Sequence, residues 1–256
     1  MPRSLWNGTL TFGVIAVPVK LYTATESKTV HFREVHLDDG AKVEHRRFCT
    51  KEDTEVPYDE VVKGYEVRDG EYVVLEKEEI EAAAGDKAHV VALEAFVDAR
   101  AIDPVYCEKT YYLGAGDAGT DAYRLLHDAL GGTGRAGLGR FTFHGREYLA
   151  AVRPLDGVLA LHTMRFADEL VPGKDIEFEA PSRKPQDKEI QMAARLIESL
   201  HERFDAGKRK DQYRKAVLEM IERKAAGKKP RKPKEQPPEE TPDLMAALEA
   251  SLAGSR

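Results

Sequence analysis

Thiols are scarce in this chain of 256 residues, where Cys49 and Cys107 are the only two cysteines. So few exclude a disulfide framework and fit a reducing compartment. No run approaches the ~18 consecutive apolar residues that a membrane-spanning helix needs. The N-terminus lacks the basic, apolar and small-residue order of a signal peptide, so an intracellular, soluble protein without a membrane partner is expected. Metal and nucleotide signatures are missing as well, with no Cys-x-x-Cys, no His-Glu-x-x-His and no Gly-Lys-Ser/Thr loop. Ser4, Ser27 and Ser182 lie outside any nucleophile elbow.

The chain does hold an uneven charge. Its net value of −6 argues by itself against nucleic acid, but residues 201–234 hold 13 Lys/Arg against 5 Asp/Glu, a balance of +8, which leaves −14 elsewhere. A basic segment beside an acidic body suits a protein that touches DNA locally. A solvated, lysine-rich tail fits the same numbers equally well.

Up to about residue 184 the pattern is β-rich. Leu10, Phe12, Val14 and Ala16 would share one face of an extended chain, and Ile15 and Val17 the other. Apolar residues on both faces read as one doubly buried strand, which Pro18 should end or bulge. Asp39-Gly40, Asp69-Gly70 and Asp156-Gly157 are hairpin turn pairs, and His144-Gly145 offers a fourth. Further strands are expected at Tyr72–Leu75, His89–Val97, Val105–Leu113, Val158–Phe166 and Ile176–Phe178, a count that suits a barrel or sandwich. A short acidic helix is expected over Lys77–Ala84. A second is expected over Asp121–Leu130, capped by Thr120 and stopped by Gly131. The glycines of residues 131–140 resemble a phosphate loop only loosely, because a strand and not a helix follows them.

After Pro185 the period changes. Ile190, Ala193, Ile197, Leu200 and Phe204 are spaced 3-4-3-4 on one expected helix, which Gly207 breaks. Tyr213, Val217, Met220 and Ile221 mark another amphipathic helix. The pair fits equally well folding back on the barrel or meeting a second chain. Residues 227–242 are rich in Pro, Lys and Glu and read as a flexible linker. Leu244, Leu248 and Leu252 then form one narrow stripe on a short terminal helix, a partner-binding arrangement.

No catalytic constellation emerges. His31, His36 and His45 lie near Asp38, Asp39, Glu44 and Cys49, but scattered surface histidines are the better reading. Arg33, Lys42, Arg46, Arg47 and Lys51 cluster around the Asp39-Gly40 hairpin, and Arg135, Arg140, Arg146 and Arg153 around a second. Such clusters are a solvated surface or a phosphate-tracking one.

A resemblance chooses between them. Ser4-Leu5-Trp6-Asn7-Gly8, Thr11-Phe12-Gly13 and Val17-Pro18-Val19-Lys20-Leu21-Tyr22 resemble the opening of the bacterial Ku proteins. The similarity continues at Val56-Pro57-Tyr58, Val61 to Glu66, Tyr72 to Leu75, Tyr111 to Leu113, Phe166 to Glu169 and Leu244 to Leu252. It implies a mainly β fold with α elements: a Ku-type barrel core over 1–184, with DNA-encircling arms at about 30–60 and 131–153. A helical dimerisation arm over 185–226 and a tail over 227–256 would follow. The implied function is a ring-shaped homodimer that binds double-stranded DNA ends regardless of sequence. It would recruit a multifunctional ATP-dependent DNA ligase in non-homologous end joining, without catalysis, cofactor or metal, in the cytoplasm at the nucleoid. On this reading Lys20, Arg33, Lys42, Arg46, Arg47, Arg135, Arg140 and Arg146 meet DNA. Ile190, Ile197, Leu200, Phe204 and Val217 meet the second chain, and Leu244, Leu248 and Leu252 meet the ligase. The rival readings are a β-barrel nucleic-acid-processing hydrolase with a histidine–carboxylate site and a coiled-coil adaptor without DNA affinity.

Overall fold

The computed structural model describes residues 3–84, 89–117, 119–143, 145–177, 183–228 and 251. Two compact units divide the chain: Met1–Ser27 with Glu34–Asp175, and Lys28–Arg33 with Ile176–Arg256.

The first unit is built on seven strands closed into a barrel. These are β1 (Trp6–Phe12), β2 (Ile15–Thr23), β5 (Val90–Asp98), β6 (Cys107–Ala115), β7 (Arg135–Phe143), β8 (Arg146–Leu155) and β9 (Val158–Met164). Their order is β1-β2-β6-β9-β8-β7-β5, and parallel pairing of β1 with β5, from Thr9↔Val90 to Phe12↔Leu93, closes the ring. Closure leaves no free strand edge in the barrel. Leu10, Val17, Val19, Leu21, Val91, Leu113, Val152, Leu159 and Leu161 fill the inside and are fully or almost fully buried.

The opening stretch is a hairpin and not one strand. Gly13, at φ 56, turns the chain, and Val14 stands wholly in solvent at the tip. Pro18 does not end β2 either. Its ladder with β6 begins only at Val19, paired with Ala115, so on that side no strand awaits the amide that Pro18 lacks.

Helix α2 (Thr120–Thr133) links β6 to β7 and sends Tyr123, Leu126 and Leu130 into the core from that end of the barrel. The Tyr123 hydroxyl donates to the Leu113 carbonyl at 2.5 Å and accepts from the Leu159 amide at 2.7 Å. Gly119, and not Thr120, occupies the N-cap, and the helix runs past Gly131 to Gly134, whose φ of 64 forms the left-handed cap.

In the stretch 131–153, expected to project as an arm, residues 131–133 end α2, and 135–143 and 146–153 are barrel wall. Its glycines serve close packing: a Cβ on Gly139 would lie 2.0 Å from the Ala92 carbonyl oxygen of β5. The expected strand at Ile176–Phe178 is absent at Ile176 and Glu177, while Phe178 lies outside the described residues.

An insertion between β2 and β5 does not enter the barrel. It contains the two-stranded sheet β3 (Lys63–Arg68) with β4 (Glu71–Leu75), and α1 (Lys77–Ala84) follows.

The second unit contains α3 (Asp187–Ser199) and α4 (Gln212–Ala225). Glu189, on the first turn of α3, is buried. It accepts from both terminal nitrogens of Arg183 and, at 2.7 Å, from the Gln186 amide. The Arg183 guanidinium and that amide hold its carboxyl down at about 2.

Candidate nucleic-acid interface

An extended chain with no core of its own must find cover elsewhere. Residues 34–76 fit that description: every one is exposed except Cys49 and Val56, which are half-buried. Residues 34–76 thus form an exposed arm of the first unit that includes β3 and β4. Its hairpin at Asp39-Gly40 is held by the Val35↔Lys42 bridge, with Gly40 at φ 70. A second bridge, Phe48↔Glu55, closes a tight loop.

The arm is acidic overall, with 6 Lys/Arg against 13 Asp/Glu over residues 34–76. Its cations gather between Lys42 and Lys51. There Arg46 pairs with Glu55 at 3.0 Å, and the Arg47 guanidinium lies 4.7 Å above the Tyr58 ring. His45 meets Glu34 at 2.7 Å, and His36 meets Asp39 at 3.0 Å. The Ala41 amide and then His36 lower the Asp39 carboxyl. These are separate pairs, and among the described residues no group of His, Cys, Asp and Glu would hold a metal ion. No helix among them is long and apolar enough to cross a membrane.

The other sequence-predicted cations lie elsewhere. Arg140, on β7, stands between Glu94 at 3.7 Å and Glu147 at 3.5 Å. Arg146 opens β8, paired with Glu169 at 2.5 Å and stacked 5.1 Å from the Tyr148 ring. Lys20, on β2, is bonded to Asp117 at 2.8 Å, which raises the amine's pKa and lowers the acid's. Arg33 falls in the second unit. Among the described residues Arg33, Lys42 and Arg135 enter no ion pair, which leaves their charge uncompensated locally.

In the second unit the apolar seam turns outward. Ile190 and Ile197 are 54% and 70% exposed, while polar Glu189 is buried. The seam also outruns its helix: α3 stops at Ser199, so Leu200 is its cap and Phe204, 84% exposed, lies on non-helical chain. Gly207 is therefore not its breaker. On α4, Val217 is buried, while Tyr213, Met220 and Ile221 are exposed. Leu244, Leu248 and Leu252 lie outside the described residues.

Sequence reasoning missed an aromatic group at one end of the barrel. Tyr111, Phe143 and Tyr148 come together there from β6, β7 and β8, and only the strand register brings them close.

Residues 11–192 match the family model described as the Ku70/Ku80 beta-barrel domain. Over 258 aligned residues the chain is 42% identical to the Non-homologous end joining protein Ku of Anaeromyxobacter sp. (strain K), covering 100% of this chain and 87% of that one. It is 42% identical to the protein of the same name from Symbiobacterium thermophilum, over 98% of this chain and 62% of the relative. With that of Bacillus subtilis (strain 168) identity is 34%, over 99% of this chain and 83% of the relative.

Proposed function

Because the chain belongs to the Ku family, we propose that it is a DNA end-binding scaffold of non-homologous end joining. It holds double-stranded ends without reading sequence and without catalysing a reaction. The observation that carries the reading is the arm of residues 34–76, which buries nothing of its own and concentrates cations between Lys42 and Lys51. A surface of that kind suits phosphates, whose contacts position a protein but carry no base information. Arg46 and Arg47 belong to that surface with Lys42, and Arg33 and Arg135 add uncompensated charge from elsewhere on the chain, whereas Lys20, Arg140 and Arg146 are each paired with a carboxylate and contribute little.

The working form is a homodimer that closes a ring around the duplex. Its support is the outward seam of Ile190, Ile197, Leu200 and Phe204, which exposes large apolar side chains beside a buried glutamate. Val217, buried on α4, does not belong to that exposed surface. The Leu244, Leu248 and Leu252 stripe recruits the ATP-dependent DNA ligase, so truncation after Ala226 should spare end binding and abolish stimulation of ligation.

One experiment tests the central reading. Purified protein should retard linear duplex and leave covalently closed circular DNA of the same sequence unshifted. Equal retardation of both would overturn a mode that requires an end.

A further inference from the structure

The two ends of the barrel differ. Helix α2 fills one with Tyr123, Leu126 and Leu130. At the other lies an open cleft of about 520 Å³, lined by Leu5, Glu108, Lys109, Tyr111, Phe143, Tyr148 and Thr163. These residues sit before β1, at the start of β6, at the end of β7, near the start of β8 and at the end of β9, which defines a single barrel mouth. Mouths of barrels are frequent ligand sites.

Tyr111 and Phe143 meet edge to face with centroids 5.9 Å apart, and Phe141 joins Phe143 to Tyr148 at 5.8 and 5.9 Å. Two cations rest on these rings: the Lys109 ammonium lies 5.3 Å from the Tyr111 centroid, and the Arg146 guanidinium 5.1 Å from that of Tyr148. Among the described residues Lys109 has no carboxylate partner, and the Glu108 carboxylate enters no ion pair or side-chain hydrogen bond. Thr163 fixes this edge, accepting from the Lys109 amide at 3.1 Å.

Aromatic and guanidinium planes stack with a nucleobase, and cations beside them suit its phosphate. A free carboxylate accepts from an exocyclic amine, as acidic side chains do from cytosine. We infer that the open mouth of the barrel is a stacking site for an unpaired nucleotide, the group that a single-stranded overhang presents at a DNA end. The base packs on the Tyr148–Phe143 wall, its amine faces Glu108, and Lys109 holds the phosphate. Adenine and cytosine therefore bind better than thymine, which has no amine. This inference rests on the end-binding reading, and its test must separate the two.

The full-length protein is titrated with duplexes that differ only at the end: blunt, or carrying a short overhang with 2-aminopurine in place of adenine. The overhang should bind about tenfold more tightly, with quenched 2-aminopurine fluorescence. Tyr148→Ala and Lys109→Gln should each remove most of that gain and leave blunt-end affinity unchanged, whereas Tyr148→Phe keeps it. Millimolar deoxyadenosine monophosphate identifies the source: it erases the gain if the mouth accepts a free nucleotide, and leaves it if only a DNA-held nucleotide fits. Equal affinity for both ends without quenching, or a gain that survives both Tyr148→Ala and Lys109→Gln, overturns the site. Failure to bind even blunt ends would sink the end-binding reading instead.

Discussion

Two hairpins of this chain share a left-handed glycine between their strands and almost nothing else. β3–β4 closes at Gly70 and β7–β8 at Gly145, both at φ 74. In the second, Ala136, Phe141, Ala150 and Val152 are buried, and the hairpin forms barrel wall. In the first, every residue is exposed, including Tyr72, Val73, Val74 and Leu75 in unbroken succession. Alternation does not explain the contrast, because both hairpins carry apolar residues on both faces. Partners do. The wall has strands on either side and α2 at its end, while a two-stranded ribbon alone is marginal in water. A turn signal thus says where a chain reverses and nothing about what covers it.

Backbone substitutions should widen that contrast most. Gly139→Ala forces a methyl into the Ala92 carbonyl, which cannot move without opening the β5–β7 ladder. We expect a loss of about 3 kcal/mol or an insoluble product. Gly64→Ala, in the exposed ribbon, meets only the Tyr72 side chain at 3.4 Å and should change stability by less than about 1 kcal/mol. Denaturant unfolding of the two variants decides it, and equal losses would mean that the arm is as tightly packed as the wall.

The next effect lies in assembly. Ile197→Asp places a charge in the exposed seam, so a dimer that buries it should weaken by roughly 3 kcal/mol or more while the monomer stays folded. Sedimentation at micromolar concentration should show monomers and a parallel loss of end binding. Wild-type protein that sediments as a monomer under the same conditions would remove the seam from any interface.

Much of this was legible in the sequence because it is local. Asp156-Gly157 announces a turn in which both residues take positive φ, and they do, at 50 and 81. The acidic helix at Lys77–Ala84 also stands where its pattern placed it. Long-range outcomes were not legible. Glycines at Gly137 and Gly139 read as an arm because nothing near them in sequence shows that β5 crosses so closely. The 3-4 spacing through Leu200 and Phe204 outlives the helix that should carry it, since Ser199 bonds back to the Leu196 carbonyl at 2.8 Å and the chain leaves helical geometry. Arginine clusters counted along the chain also hid their compensation: Glu94 and Glu169 reach Arg140 and Arg146 only through the barrel.

That compensation predicts a smaller, graded effect on binding. Replacing Lys42 and Arg47 of the arm by Gln should lower the slope of log affinity against log salt by about 0.9 for each phosphate that is no longer neutralised. The same exchange at Arg140 and Arg146, each already bonded to carboxylates, should leave the slope nearly unchanged. Titrations across a range of salt separate the two pairs. A larger change from the wall pair would move the DNA-facing surface from the arm to the barrel.

The smallest expected effect again sets wall against arm, through histidines. His36 and His45, on the arm, lie in solvent beside carboxylates. His162, on β9, is buried: Arg153 donates from Nε to its Nε2 at 3.0 Å, so the ring proton sits on Nδ1 and is donated to Thr110 Oγ1 at 2.9 Å. Burial, and then the Arg153 charge, lower its pKa from the usual 6.5. Above pH 6.5 the ring is neutral whether the chain is folded or not, and its hydrogen bonds are fully present. As pH falls below that value the unfolded chain takes up a proton that the folded chain refuses, so stability declines until the folded pKa is reached. His162→Gln keeps an acceptor for Arg153 and a donor for Thr110 but cannot titrate. Melting temperatures followed from pH 7 to pH 5 should therefore fall more steeply for the native barrel than for the variant. Parallel curves would show that His162 takes up a proton within the fold, and that the Arg153 contact yields to it.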